Sequence, residues 1–103
     1  IVTSTLSGGS ALRLSKFRPK IPILAFTPQP EIARRMGLYW GIVPHEMPLL
    51  KPEETLFDAM IQQVRIKKLA KKGDLLVMVS QSPNRVSKIQ TIPPTDSIKI
   101  HQM

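Results

Sequence analysis

A cluster of hydroxyl and glycine residues near the start of the chain has the composition of an anion-binding turn. The segment TLSGGS, residues 5–10, follows a short apolar stretch and precedes apolar residues at helical spacing. The first N–H groups of a helix lack partners within the helix and carry the positive end of its dipole, and glycine lets an anion approach the backbone closely. A phosphate would fit this turn.

The same turn also has a purely structural interpretation. Ser7 or Ser10 can cap the helix, and the glycines can serve only to reverse the chain. The segment is neither the lysine-containing P-loop nor the G-x-G-x-x-G pattern with an acidic ribose partner, so it specifies no nucleotide. The residues alone leave both interpretations open.

Hydroxyl residues also end other predicted strands. Thr27 closes the apolar run IPILAFT, while Ser80 and Ser82 follow the run LLVMV. In an open α/β sheet, ligands bind beyond the carboxyl ends of the strands. These hydroxyls are therefore predicted to face the same crevice as the TLSGGS turn.

No group of residues in the sequence matches a catalytic or metal-binding arrangement. The absence of cysteine excludes disulfides and thiolate metal sites, and neither His45 nor His101 has a second ligand at metal-binding spacing. No histidine is placed to activate a serine, and His45, after Pro44, is predicted to lie in a loop. We expect this chain to hold no metal and no cofactor by itself.

Apolar periodicity predicts alternating strands and helices, ending in one additional strand. Continuous apolar runs indicate strands covered on both faces, as in a parallel sheet, whereas the alternation in SIKIHQM indicates a half-exposed edge strand. Residues 1–103 are predicted to form a single domain with a three-layer α/β/α fold. Its five-stranded sheet is mainly parallel, with the last strand antiparallel at an edge. The predicted strands are 1–5, 21–27, a short one around 42–43, 75–80 and 97–103. The predicted helices are 10–17, one within 28–37 that has Glu31 in its first turn and ends at Gly37, and one capped by Thr55.

The third predicted helix changes from apolar to basic along one face. Its apolar stripe ends at Val64, and Lys67, Lys68, Lys71 and Lys72 continue the same stripe at helical spacing. We therefore expect the helix to leave the core in its last two turns and to end at Gly73.

The net charge of +8 raises the possibility of a polyanionic partner. The lysines are placed where a helix dipole favours cations, however, and the few aromatic residues are not interleaved with them. A nucleic-acid partner is the weaker interpretation.

Neither a membrane span nor a secretion signal is present in the sequence. No stretch approaches the roughly 20 apolar residues that cross a bilayer, and the start lacks a charged segment followed by an apolar core. No Met precedes Ile1. We expect a piece of a longer cytoplasmic protein.

Five motifs, in order, resemble the C-terminal domain of pyruvate kinase. They are T-x-S-G-x-S-A, a basic R-P followed by P-I-L-A and T-P, then A-R-x-x-x-L-Y-x-G, K-x-G-D, and a closing TDSIKIH that is similar to T-N-x-I-K-V-H. The resemblance covers nearly the whole chain.

The resemblance implies a regulatory part of an enzyme. Pyruvate kinases transfer phosphate from phosphoenolpyruvate to ADP in a barrel with Mg²⁺ and usually K⁺, and the 103 residues lack that barrel, so they are implied to be non-catalytic alone. Regulated members assemble as homotetramers and bind the phosphate of a sugar-phosphate or nucleotide monophosphate effector at the T-x-S-G-x-S turn. The implied effector-phosphate residues are Thr5, Leu6, Ser7, Gly8, Gly9 and Ser10.

The sequence departs from the family pattern after the fourth strand. A glycine-rich loop ending G-T-T-N closes on the effector in the family, whereas residues 80–95 contain no glycine and carry Arg85 and Lys88. These cations can supply charge to a phosphate in place of backbone N–H groups, or the loop has simply diverged. The possible effector-crevice residues are Thr27, Ser80, Ser82, Arg85 and Lys88.

Three functional hypotheses follow. The first is the allosteric effector-binding and oligomerisation domain of a pyruvate kinase. The second is a stand-alone phosphate-metabolite binding domain of the same fold. The third, a basic nucleic-acid-binding module, depends on charge alone.

Overall fold

Eight secondary-structure elements follow one another in the order that apolar periodicity predicts. The computed structural model describes residues 1–48, 56–80 and 97–103, so the predicted cap Thr55 and the candidates Ser82, Arg85 and Lys88 lie outside the described residues. The elements are β1 (Val2–Ser4), α1 (Gly9–Lys16), β2 (Ile23–Thr27), α2 (Pro30–Met36), β3 (Ile42–Glu46), α3 (Leu56–Ile66), β4 (Leu75–Ser80) and β5 (Ser97–Gln102).

The strands form one five-stranded sheet in the order β3-β2-β1-β4-β5. β1 is central and runs parallel to both β2 and β4, and β2 runs parallel to β3. β5 pairs antiparallel with β4 at the edge. The predicted mainly parallel sheet with an antiparallel edge strand is confirmed.

Apolar side chains pack on both faces of the sheet. In β2, Ile23 and Ala25 face α1 and α2, whereas Phe26 faces α3. Burial on both faces explains why this strand is continuously apolar. The predicted three layers are confirmed. The main core residues are Ala11, Ile32, Met36 and Ile42 on the first face, and Val2, Phe57, Met60, Val64, Leu76 and Met78 on the second.

The third helix ends earlier than the lysine spacing predicts. α3 stops at Ile66, and Lys68 adopts a left-handed conformation with φ of 54°. The N–H groups of Leu69 and Lys68 donate to the carbonyls of Val64 (3.0 Å) and Arg65 (3.1 Å), the pair of bonds that defines a Schellman helix end. The prediction that the helix continues to Gly73 was wrong, because the chain turns inward here and packs Leu69 against the α3 core.

His45 lies on an edge strand rather than in the predicted loop. β3 continues through Pro44 to Glu46, and an edge strand tolerates a proline because one side of its backbone needs no partner. The His45 ring stacks on Phe26 with centroids 5.5 Å apart, and its buried Nε2 has no hydrogen-bond partner among the described residues. Burial, and secondly the charge of Lys67, lowers the pKa of His45 below its ordinary 6.5.

Replacing Lys68 with glycine should stabilise the domain. Glycine adopts a left-handed conformation without the steric cost that a lysine incurs, so Lys68→Gly is expected to raise the free energy of unfolding by about 0.5–1 kcal/mol. The measurement is urea denaturation. The control Lys72→Gly, at an exposed position without positive φ, should be neutral or destabilising. Equal effects of the two substitutions would contradict the assigned helix end.

The position of His45 predicts a loss of stability in acid. A folded-state pKa below 6.5 means that the unfolded chain binds more protons, so this contribution to stability is intact above pH 6.5 and decreases below it. His45→Phe keeps an aromatic ring beside Phe26 and should abolish the part of the fall in the urea midpoint below pH 6.5 that is due to His45. Lys67→Met should weaken this pH dependence, because it removes one of the two causes of the lowered His45 pKa. An unchanged pH profile in His45→Phe would show that another group is responsible.

Candidate functional site

The order of the strands reverses direction beside β1. The chain proceeds from β1 through β2 to β3 on one side, and then crosses to place β4 on the other side of β1. In sheets of this type, ligands bind at the carboxyl ends of the two strands where the order reverses. The Thr3 hydroxyl joins these two strands by donating to the Val79 carbonyl at 2.8 Å.

The TLSGGS turn leaves β1 at this carboxyl end and leads into α1. The Thr5 N–H still donates to the Phe26 carbonyl of β2 at 2.9 Å. The Gly8 N–H donates to the Thr5 hydroxyl (2.8 Å), and the Gly9 N–H donates to that of Ser7 (3.3 Å). The turn is therefore held by its own hydroxyl groups.

Gly8 is the N-cap of α1, so the structural hypothesis was wrong in assigning that position to Ser7 or Ser10. Gly8 has φ of 88°, in the left-handed region that favours glycine. A methyl group placed on it would lie 3.6 Å from Met36 Cγ and 3.7 Å from Tyr39 Cε2. The turn therefore packs directly against α2 and the loop that follows it.

Arg13 is a candidate site residue that the sequence reasoning missed. A Cβ atom built on Gly9 would lie 3.3 Å from Arg13 Nη2 and 3.4 Å from Ser7 Oγ. The guanidinium therefore reaches back from the last turn of α1 to the vicinity of Gly9 and the Ser7 hydroxyl. The only signal in the sequence was its spacing, four residues after Gly9, which places the two on the same face of a helix.

These groups together can bind an anion. A hydroxyl that accepts a backbone N–H keeps its own proton, so Thr5 and Ser7 can each still donate one hydrogen bond. Arg13 adds a charged donor of the kind that binds phosphate in bidentate geometry. The donors expected to contact a phosphate are therefore side-chain groups, since the N–H groups of Gly8 and Gly9 are bonded within the turn.

The other candidate residues are not all placed at the surface of the crevice. Leu6 exposes its side chain, and Ser10 lies in the first turn of α1. Thr27 is fully buried, and its hydroxyl accepts the Gln29 N–H at 3.3 Å, so this hydroxyl supports the start of α2. Ser80 is the last residue of β4.

Within residues 1–48, 56–80 and 97–103, no group of three or more His, Cys, Asp or Glu side chains could hold a metal ion. In the same part of the chain, no helix has the length and apolarity to cross a membrane.

The sequence is similar to known proteins along almost its whole length. The profile of the family described as "Pyruvate kinase, alpha/beta domain" matches residues 1–101. Three similar proteins are called pyruvate kinase. They come from Agrobacterium vitis (36% identical over 102 residues, 99% of this chain and 20% of the relative), Geobacillus stearothermophilus (32% over 101 residues, 98% and 16%) and Thermotoga maritima (34% over 92 residues, 89% and 20%). The chain thus spans a fifth or less of the length of these relatives.

Proposed function

The chain belongs to the family of the pyruvate kinase alpha/beta domain, and from this membership we propose that it is the effector-binding and oligomerisation domain of a pyruvate kinase. The enzyme transfers phosphate from phosphoenolpyruvate to ADP in a catalytic part that lies outside these residues. Mg²⁺ and K⁺ would be held by that catalytic part. The 103 residues alone are expected to transfer no phosphate.

The main support for an effector site is that the Arg13 side chain lies beside the TLSGGS turn. A cation is unfavourable near the positive end of a helix unless an anion offsets its charge. Arg13 belongs to the last turn of α1, but its guanidinium reaches back toward the start of the helix, where a Cβ built on Gly9 would lie 3.3 Å from its Nη2. A phosphate bound there would accept hydrogen bonds from the Thr5 and Ser7 hydroxyls and from Arg13.

The location of the turn supports a small phosphorylated metabolite as the ligand. The turn leaves β1 beside the point where the strand order reverses, and the end of β2 accepts the Thr5 N–H. The turn provides donors for a single phosphate group. The effector is therefore a sugar phosphate or a nucleoside monophosphate, whose remaining part extends from the turn toward the end of β4.

Two substitutions in the full-length protein test the phosphate site. Gly9→Asp places a like charge beside the anion, and Arg13→Gln removes a charge-assisted bond. Each should weaken the binding of sugar phosphates or nucleoside monophosphates by about 1–3 kcal/mol, measured by isothermal titration. Wild-type phosphoryl transfer from phosphoenolpyruvate to ADP is measured with and without the same compounds.

The matched control for Arg13→Gln is Lys16→Gln, which removes the same charge from the last turn of α1 and should leave binding unchanged. Arg85→Ala should weaken binding only if its segment contacts the ligand. If no such compound binds the wild-type protein and Gly9→Asp leaves its kinetics unchanged, the turn is structural.

The outer edge of β5 is the proposed contact between subunits. Ile98 and Ile100 are 72% and 66% exposed. The described helices pack mainly on the other strands: α1 on β1 and β2, α2 on β2 and β3, and α3 on β1 and β4. An exposed edge strand with an apolar face pairs readily with another strand, and two-fold symmetry makes the contact self-complementary. A second copy of β5 would continue the sheet and partly bury both isoleucines beside their symmetry mates.

Charge placed on β5 should therefore weaken subunit association. Sedimentation velocity of the full-length protein carrying both Ile98→Asp and Ile100→Asp should show at least about tenfold weaker association, since each buried apolar side chain contributes roughly 1.5–3 kcal/mol. Ile66→Asp is the control, because Ile66 is equally exposed (65%) on α3. A wild-type protein that stays monomeric at high concentration would contradict the proposed contact.

A further inference from the structure

Residues 37–42 contact α1 at both of its ends. At the start of the helix, a Cβ built on the N-cap Gly8 would lie 3.7 Å from Tyr39 Cε2. Near its end, the Ser15 hydroxyl donates to the Trp40 carbonyl at 2.6 Å. Tyr39 and Trp40 are neighbours in the chain, whereas about 10 Å of helix separates Gly8 from Ser15. A short segment thus spans α1 from end to end.

The end of α1 also holds the Trp40 ring. The Arg18 guanidinium lies 5.3 Å from the centre of this ring, within the range of a cation–π interaction. The Arg18 N–H donates to the Ser15 carbonyl at 3.0 Å. Arg18 has φ of 46°, a conformation that is costly for a residue other than glycine and that persists where the surrounding contacts require it. Trp40 is therefore attached to the end of α1 through both its carbonyl and its ring.

Tyr39 connects the TLSGGS turn to α2 and β3. Its N–H donates to the Met36 carbonyl at 3.0 Å, and its carbonyl accepts the Ile42 N–H at 3.3 Å. The fully buried Met36 also reaches the turn, since its Cγ would lie 3.6 Å from a Cβ built on Gly8. The backbone of residues 37–42 is thus fixed to α2 and β3, while the Tyr39 side chain packs on the turn. Opening of the turn would remove a contact that this segment uses.

From these contacts we infer that Ser15 and Tyr39 are positioning residues, which join the TLSGGS turn, α1 and residues 37–42 into one unit that opens cooperatively. A ligand that binds only the closed turn stabilises every residue that opens together with it. A phosphate at the turn therefore slows amide exchange in residues 37–42, although no proposed phosphate donor lies there. Occupancy of the turn is thereby reported at Trp40, near the opposite end of α1. The part of this inference that concerns phosphate rests on the proposed function.

The first test needs no ligand and uses Gly8→Ala in the full-length protein. Alanine is strained at the Gly8 φ of 88°, whereas its methyl group would make only ordinary contacts, so the substitution should loosen the turn without displacing α2. Amide hydrogen exchange in residues 9–12 should become about tenfold faster. Exchange in residues 37–42 should accelerate by the same factor, because the two segments open together.

The matched control is Gly73→Ala. Gly73 has φ of 96° and open space around its Cα, so alanine there has a similar backbone cost but lies outside the unit, before β4. It should leave exchange in residues 37–42 unchanged. Equal acceleration by Gly8→Ala and Gly73→Ala would mean that these amides exchange only through global unfolding, which overturns the inference. Acceleration of residues 9–12 alone by Gly8→Ala would also overturn it.

The second test is a double-mutant cycle with Ser15→Ala, which removes only the hydroxyl that donates to Trp40. In the Ser15→Ala background, the effect of Gly8→Ala on residues 37–42 should become at least about threefold smaller, while its effect on residues 9–12 stays about tenfold. A hydroxyl with a merely structural role would speed exchange in residues 37–42 but leave the effect of Gly8→Ala intact. That result would overturn the positioning role of Ser15.

Inorganic phosphate, compared with chloride at the same ionic strength, separates this inference from the proposed function. In wild type it should slow exchange in residues 9–12 and 37–42 by the same factor, and Ser15→Ala should reduce only the second effect. If phosphate protects residues 9–12 alone, the phosphate site is right and the coupling is wrong. If phosphate protects neither segment but Gly8→Ala accelerates both, the unit is right and the proposed phosphate site is wrong.

Discussion

The rest of the structure depends on the pairing of β1 with strands on both sides. β1 is only three residues long, yet it hydrogen-bonds in parallel to β2 and to β4 and so joins the two parts of the sheet. Val2 and Thr3 are fully buried, and the Thr3 hydroxyl adds a bond to the β4 carbonyl of Val79. Because the strand order reverses at β1, the residues that leave it begin at the position that open α/β sheets use for ligands.

The turn after β1 must reverse the chain and also fit against a neighbouring segment. The chain must reverse into α1, which the positive φ of Gly8 allows, and the turn must also fit beneath Met36 and Tyr39 of the neighbouring segment. The hydroxyls of Thr5 and Ser7 satisfy two backbone N–H groups that would otherwise lack partners. The same hydroxyls keep their protons for a ligand, so the structural and the anion-binding interpretations of this turn are compatible.

The described surface is polar at one end of the sheet and carries exposed apolar side chains at the other end and on the outer edge strand. One end of the parallel strands carries small polar groups and Arg13, while the other carries Phe17, Leu38 and Trp40 among cations. The outer edge strand β5 exposes two isoleucines, Ile98 and Ile100. Tyr39 lies between two of these regions, since it follows Leu38 in the chain and its Cε2 would lie 3.7 Å from a Cβ built on Gly8.

The sequence by itself determined the order of strands and helices, the parallel sheet with its antiparallel edge and the position of the TLSGGS turn. Local patterns determine these features, since continuous apolar runs require burial on both faces and Gly8 occupies a conformation that favours glycine. Only the tertiary structure decided where α3 ends, because lysine favours a helix and the packing of Leu69 outweighs that preference. It also placed His45 on an edge strand beside Phe26, buried Thr27 under α2 and brought Arg13 to the turn. These outcomes depend on contacts between side chains that spacing along the chain does not specify.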